Sequence, residues 1–89
     1  MIKVIGLDPG ISNTGWAVIE CDEKGKIGFL GSGSISTNSK QSTDDRLHII
    51  FNQLNKVISF YSPNEASVEK IFINKNYYFS FDELNSHQI

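Results

Sequence analysis

Several features common in other protein classes are missing from this 89-residue sequence. Its single cysteine, Cys21, can form neither an internal disulfide nor a cysteine-based zinc cluster, which excludes the small disulfide and zinc scaffolds. Neither a signal-peptide segment nor an apolar run of about 18 residues is present, so we expect a cytoplasmic chain that does not enter a membrane. The net charge is −2, so the sequence lacks the excess of basic residues that nucleic-acid-binding proteins usually have.

The length allows at most one small domain, because domains usually contain about 100–200 residues. Residues 2–8 have apolar side chains at both alternating positions, which is typical of a central strand covered on both faces. Residues 14–20 predict a second strand, and a turn at 22–25 leads to a third over 26–36. The third strand should place on one face Ile27, Phe29, Gly31, Gly33 and Ile35. Together these segments predict a three-stranded antiparallel meander.

A helix is predicted over residues 43–61. Ser42 and Asp45 have the spacing of a capping box at its start, and Pro63 forces the chain out of helical geometry at its end. Apolar residues recur at helical spacing and form a stripe that should pack on the sheet: Leu47, Ile50, Phe51, Leu54, Val57, Ile58 and Tyr61.

Residues 65–73 predict a fourth strand. Because it follows a crossover helix, it should run parallel to a strand of the same sheet. We divide the chain into an N-terminal part, 1–76, and a divergent tail, 77–89. The tail begins with Tyr77–Phe81, a segment of high β propensity.

Asp8 ends the otherwise apolar first strand, and Pro9-Gly10 follows at once. A buried carboxylate costs free energy unless it is paired or bound to a metal, so an aspartate in this position suggests a site. Glycines at 10 and 15 would let the backbone approach whatever Asp8 holds. Alternatively, Asp8 accepts hydrogen bonds from the Pro9-Gly10 turn, and this motif alone does not decide between the two interpretations.

Glu69 lies within or at the end of the predicted fourth strand. If that strand is parallel and adjacent to the first, both strand ends meet at the edge where open α/β sheets bind ligands. Asp8 and Glu69 could then share a divalent cation, and their oxygens suit Mg²⁺, with Mn²⁺ as a substitute. The alternative is a surface glutamate paired with Lys70 or Lys3.

Phe72 follows Glu69 by three residues and is flanked by Lys70 and Lys75. An aromatic ring between lysines suits base stacking combined with phosphate contacts, and stacking contributes about 1–3 kcal/mol per base. Large aromatic side chains are usually buried, however, so these residues alone favour a core position for Phe72.

Four segments in a fixed order resemble the RuvC-type Holliday-junction resolvases. The resemblance runs from Ile2 to Asn76, and the combination is specific where any one segment would be weak. The matching segments are Ile5–Gly10 with Thr14–Val18, Leu30–Thr37, Arg46-Leu47 with the helical stripe behind them, and Val68–Asn76.

This resemblance implies an α/β fold of the RNase H-like class, truncated after the antiparallel meander, crossover helix and parallel fourth strand. It also implies a Mg²⁺-dependent endonuclease that resolves four-way junction DNA in recombination and repair by nicking two strands of like polarity. Asp8 and Glu69 would be its metal-binding catalytic residues, and Phe72, Lys75 and Asn76 would contact DNA. Members of the family act as homodimers.

Beyond Asn76 the resemblance stops. Two further aspartates, the dimer-forming helix and the later basic residues of the family have no counterpart among the 89 residues, so we expect impaired cleavage by this chain alone. Other hypotheses are a non-catalytic junction-binding remnant, or a phosphate-binding fragment of the actin and sugar-kinase type, which shares the Asp-x-Gly opening. The segment Glu69–Asn76 favours the resolvase, because it matches the resolvase pattern and no function of a sugar kinase would require it.

Overall fold

The computed structural model describes residues 1–70 and 75–81, with Lys70, Lys75 and Asn76 described by their backbone alone. The elements in chain order are β1 (Ile2–Asp8), β2 (Asn13–Cys21), β3 (Ile27–Ser36), α1 (Thr43–Tyr61), β4 (Glu65–Lys70) and β5 (Lys75–Ser80). The five strands form one sheet in the order β3-β2-β1-β4-β5. The apolar strand β1 is therefore central, as predicted.

The pairing directions also agree with the prediction. β1, β2 and β3 form an antiparallel meander, and β4 runs parallel to β1 after the crossover helix. The predicted fourth strand extends over 65–73, whereas β4 ends at Lys70, and residues 71–74 lie outside the described part of the chain.

β5 pairs antiparallel with β4 along its whole length, from Ser80 opposite Glu65 to Lys75 opposite Lys70. Tyr77 to Ser80, four residues of the segment with high β propensity, lie in this strand, and Phe81 lies just beyond its end. The strand also crosses the boundary at residue 76, so the end of the N-terminal part and the beginning of the tail share one strand. The division of the chain at that boundary stays a prediction.

A β-bulge interrupts the alternation of β3. Gly31 pairs with Val18 while Phe29 pairs with Ile19, so Leu30 is the extra residue between them. Leu30 packs against the core, and Phe29, on the other face of the sheet from Gly31, is 69% exposed. The prediction that all odd-numbered positions of this strand share one face is therefore wrong, because the extra residue inverts the alternation.

α1 begins and ends where the sequence predicts. The Ser42 hydroxyl accepts a hydrogen bond from the Asp45 backbone N–H (3.1 Å), which satisfies one free donor of the first turn. At the other end Ser62 adopts a left-handed conformation (φ 50°), and its N–H donates to the Ile58 carbonyl at 2.8 Å. Within the described residues, no helix has the length and apolar character needed to cross a bilayer.

The helix contacts the buried cluster of the sheet only with its last turns. The buried cluster beneath it consists of Ile5, Val18 and Ala66, and the helical residues in contact with it are Val57, Ile58 and Tyr61. Leu47 is 54% exposed and Phe51 62% exposed, so the prediction that the whole stripe packs on the sheet is wrong for these two residues. Ile50 and Leu54, in contrast, are half-buried. A helix of 19 residues is about 28 Å long, and this small cluster cannot cover that length.

Lys3 joins the start of β1 to the chain beyond the helix. Its backbone N–H donates to Asn64 Oδ1 (2.9 Å), and the Asn64 N–H donates to the Lys3 carbonyl (2.8 Å). The Lys3 ammonium donates to the Tyr61 carbonyl (3.1 Å), at the helix C-terminus, where the partial negative charge of the helix favours a cation. These contacts align the chain to enter β4 beside β1.

Candidate functional site

Asp8 and Glu69 come together at the carboxyl ends of two parallel strands. Leu7 pairs with Val68, so the next step of the register brings Asp8 opposite Glu69. Both residues line one open cavity of about 500 Å³. The predicted meeting of these two strand ends at one edge is confirmed, and their metal-binding and catalytic roles stay predictions.

Both carboxylates are exposed, so the argument from the cost of burying Asp8 does not apply. The described side chains form neither the hydrogen bonds from the Pro9-Gly10 turn to Asp8 nor an ion pair between Lys3 and Glu69, and the alternative pairing of Glu69 with Lys70 lies outside the described side chains. The Gly10 N–H of the turn donates to the Thr14 hydroxyl, and the Lys3 ammonium donates to the helix C-terminus and makes no ion pair with Glu69. The two carboxylates are therefore open to a ligand from solvent.

The cavity floor beside the carboxylates consists of small residues. Gly6 pairs with Ala17 on one side and Ser67 on the other, and Gly15 pairs with Asp8. A Cβ on Gly6 would lie 3.9 Å from the Ala17 carbonyl oxygen, which is ordinary contact. Gly6 and Gly15 line the cavity without side chains, so the backbone there is accessible to a ligand.

The turn after Asp8 is closed by Thr14, which is 2% exposed. Its hydroxyl donates to the Gly10 carbonyl (2.8 Å) and accepts from the Gly10 N–H (3.4 Å). A Cβ on Gly10 would lie 2.5 Å from the Asn13 carbonyl oxygen, so the turn requires glycine there. From the sequence, Thr14 was recognised only as part of a motif. The feature that could have revealed its role in closing the turn is a hydroxyl side chain on the buried face, four residues after Gly10.

The donor set fits a magnesium ion. Mg²⁺ is usually held by one or two carboxylates, keeps several waters, and takes further oxygens from substrate phosphates. Asp8 and Glu69 supply two carboxylates to one cavity, and among the described residues no group of three or more metal-ligating side chains converges. This part of the chain therefore offers an open, incomplete set of oxygen ligands.

The predicted DNA-contacting residues lie at the limit of what the structure describes. Phe72 is outside the described residues. Lys75 and Asn76 begin β5, and the register pairs Asn76 with Glu69. Their side chains are outside the described part, so the three DNA-binding roles stay predictions.

A polar cluster, which we call the Arg46 cluster (Ser12, Thr37 and Arg46), joins the turn after β1 to the first turns of α1. Arg46 Nε donates to Thr37 Oγ1 and Nη2 donates to Ser12 Oγ, both at 2.9 Å. The Thr37 hydroxyl in turn donates to the Ile11 carbonyl. Sequence reasoning missed this cluster, because its members come from three separate segments with no local pattern.

Comparisons of the sequence with protein-family models and with curated proteins identify the same family. The family model described as crossover junction endodeoxyribonuclease RuvC matches residues 4–81, so the similarity continues beyond Asn76, where we expect it to stop. Two curated RuvC proteins of Wolbachia, from the Drosophila simulans strain wRi and from wMel, are each 70% identical over 76 residues. The alignments cover 85% of this chain and 47% of each relative, so the chain spans about half the length of the curated relatives it matches.

Solved structures agree. The structure of Thermus thermophilus RuvC has a TM-score of 0.71 at 27% identity, covering 78% of this chain and 43% of that one. A second, T. thermophilus RuvC in complex with Holliday junction substrate, has a TM-score of 0.72 at 24% identity, covering 79% and 42%. The predicted RNase H-like arrangement of meander, crossover helix and parallel fourth strand is thus confirmed. With a family model that matches most of its residues, this chain belongs to the RuvC family of crossover junction endodeoxyribonucleases.

Proposed function

We propose that this chain carries part of the active site of a Mg²⁺-dependent endonuclease that cuts Holliday junctions. The observation that carries the proposal is the placement of Asp8 and Glu69 side by side at two parallel strand ends, in one open cavity. The names of the relatives support the reaction class, and a similar structure in complex with Holliday junction substrate supports four-way junction DNA as the partner.

The chain's own residues hold and position the reacting groups. The Asp8 and Glu69 oxygens would hold the metal, which would supply positive charge to the scissile phosphate and would activate a water for attack. The antiparallel ladder to Gly15 and the turn closed by Thr14 keep the Asp8 backbone rigid. The small floor residues let a phosphodiester come close to both carboxylates.

We further propose that the whole protein completes this site from the part of its relatives that lies outside the match. Two carboxylates hold one ion loosely, and clamping both the attacking and the leaving oxygen requires further ligands. Homodimer formation, with two such sites cutting two strands of like polarity, belongs to the same proposal.

A cleavage assay on a synthetic four-way junction tests this function. The 89-residue chain should nick the junction slowly or not at all, and a fusion of residues 1–81 to the remaining half of a Wolbachia RuvC should nick it symmetrically. Mn²⁺ should replace Mg²⁺. Asp8→Asn and Glu69→Gln should each lower the rate of the fusion on the order of 100-fold or more, by loss of charge stabilisation at the phosphate.

Glu65→Gln is the matched control, since Glu65 is an exposed glutamate at the other end of β4, opposite Val4. Its rate should equal that of the unaltered fusion. Cleavage by Glu69→Gln at the rate of Glu65→Gln would remove Glu69 from the site. Junction binding by the fusion without any metal-dependent cleavage would leave a non-catalytic junction-binding protein instead.

A further inference from the structure

We propose that Ser12 and Arg46, with the neighbouring Asn13, bind a backbone phosphate of the DNA beside the carboxylate site. This inference rests on the proposed function, because it assigns the position of the DNA strand relative to the Asp8 end of the sheet. It arises from the charge and hydrogen bonding of the Arg46 cluster.

The Arg46 guanidinium has no carboxylate partner within the described part of the chain. It is half-buried, and its hydrogen bonds go to the neutral hydroxyls of Ser12 and Thr37. The nearest acids in sequence, Asp44 and Asp45 in the first turn of α1, weaken the local positive potential but form no ion pair with it. Guanidinium carries five N–H donors, so three remain for a further acceptor, in a geometry that suits phosphate.

Two neighbouring side chains, Ser12 and Asn13, also accept hydrogen bonds through their oxygens and retain N–H or O–H groups to donate. Ser12 Oγ accepts from Arg46, so its own O–H is left to donate. Asn13 Oδ1 accepts from the Ser36 hydroxyl (2.6 Å), so the Asn13 amide N–H groups are left to donate. The Thr37 hydroxyl both accepts from Arg46 and donates to Ile11, so it serves to orient the guanidinium. A cluster of spare donors around an unneutralised cation favours an anion.

The cluster lies at the same end of the sheet as the two carboxylates. Ser12 follows Asp8 by four residues in the turn between β1 and β2, and Thr37 follows the end of β3. Successive phosphates of a DNA strand lie about 3.4 Å apart along the helix axis. A strand with one phosphodiester at the carboxylates therefore presents neighbouring phosphates at this end of the sheet, where charge-assisted bonds would hold its register.

The salt dependence of DNA binding tests the proposal. The wild-type chain, Arg46→Gln, Ser12→Ala and Lys24→Gln are titrated against a labelled four-way junction at 50–200 mM salt, without divalent metal so that cutting does not intervene. Each phosphate contact contributes about 0.9 to the slope of log K against log salt. The slope for Arg46→Gln should be shallower by about this amount. Between 50 and 200 mM salt, the affinity of the wild type should therefore fall by a factor about 3.5 times larger than that of the variant.

Lys24→Gln removes the same charge from the exposed turn at the opposite end of the sheet and should leave the slope unchanged. Ser12→Ala preserves both the charge and the turn backbone, and should weaken binding at every salt concentration without changing the slope. Ser12→Ala also tests the proposal if Arg46→Gln unfolds. A folded Ser12→Ala chain that binds the junction with wild-type affinity would contradict the phosphate site.

Equal slopes for Arg46→Gln and the wild type, or equal losses for Arg46→Gln and Lys24→Gln, would overturn the phosphate site and leave the proposed function intact. Absence of junction binding by the wild-type chain and by the fusion of residues 1–81 to the remaining half of a Wolbachia RuvC would instead contradict both.

Discussion

Replacing Gly33 with alanine should destabilise the fold, because the indole ring of Trp16 lies directly over this position. A Cβ on Gly33 would come within 2.8–2.9 Å of three indole atoms, among them Nε1. That spacing is shorter than carbon atoms tolerate, so the ring has to move. The ring cannot move freely, because Trp16 packs against the core and faces Tyr61, with ring centroids 5.8 Å apart.

Two opposing effects determine the size of this change. Overpacking of this kind costs about 1–3 kcal/mol. Alanine in place of glycine within a strand returns about 0.5–1 kcal/mol, because the unfolded chain loses conformational freedom. The net loss in the free energy of unfolding should be about 1 kcal/mol, which corresponds to a fall in melting temperature of about 4–8 °C for a domain of this size.

Gly28 provides a matched control in the same strand. A Cβ there would meet only the Glu20 side chain at 3.5–3.6 Å, which is ordinary contact. Gly28→Ala should therefore keep the conformational gain without the clash and raise the melting temperature by a few degrees. The comparison removes effects common to any glycine-to-alanine change in β3.

Urea unfolding followed by fluorescence and by circular dichroism measures the difference. Trp16 is the single tryptophan of the chain, so its emission reports on this position alone. Gly33→Ala should shift the native emission, and Gly28→Ala should leave it unchanged. Equal stability of the two variants, with the same emission, would show that the indole does not rest on Gly33.

Three further predictions concern the site and the helix. Mg²⁺ at ten times its Kd should stabilise the chain by about 1.4 kcal/mol in thermal unfolding, and Asp8→Asn should abolish the shift; an equal shift in both would place the ion elsewhere. Ile58→Ala should cost about 2 kcal/mol in urea unfolding, and Leu47→Ala less than about 0.5, so equal losses would contradict the half-covered helix. Ser42→Ala should lower the melting temperature through loss of about 1 kcal/mol of capping, whereas Ser59→Ala, at an exposed position in the last turn of the helix, should not.

The frame of the fold could be predicted because it depends on local patterns and one topological rule. Apolar residues at both alternating positions identified β1 as central, and the crossover helix placed β4 parallel to it. From those two facts, Asp8 and Glu69 had to meet at one edge. The capping residue Ser42 was predictable for the same reason, since its partner lies three residues away.

Features that depend on distant parts of the chain were not predictable. The bulge at Leu30 breaks the alternation only because the β2 partner strand shifts there, which the β3 sequence does not reveal. The Arg46 cluster joins residues up to 34 positions apart. The exposure of Leu47 reflects how little apolar surface the sheet offers to α1, a property of the whole described domain rather than of the helix.

The order in which the sheet is synthesised has a consequence for folding in the cell. β1 precedes the other strands in the chain and its antiparallel partner β2 follows directly, but its partner at the other edge is β4, and the Lys3–Asn64 contact that aligns them joins residues 61 positions apart. At about 5–20 residues per second, translation leaves that edge without its partner for roughly 3–12 s. During this interval the central strand presents unpaired N–H and C=O groups that another nascent chain could join. Early docking of Val57 and Ile58 of α1 over Ile5 would shield the nascent meander before its last partner arrives.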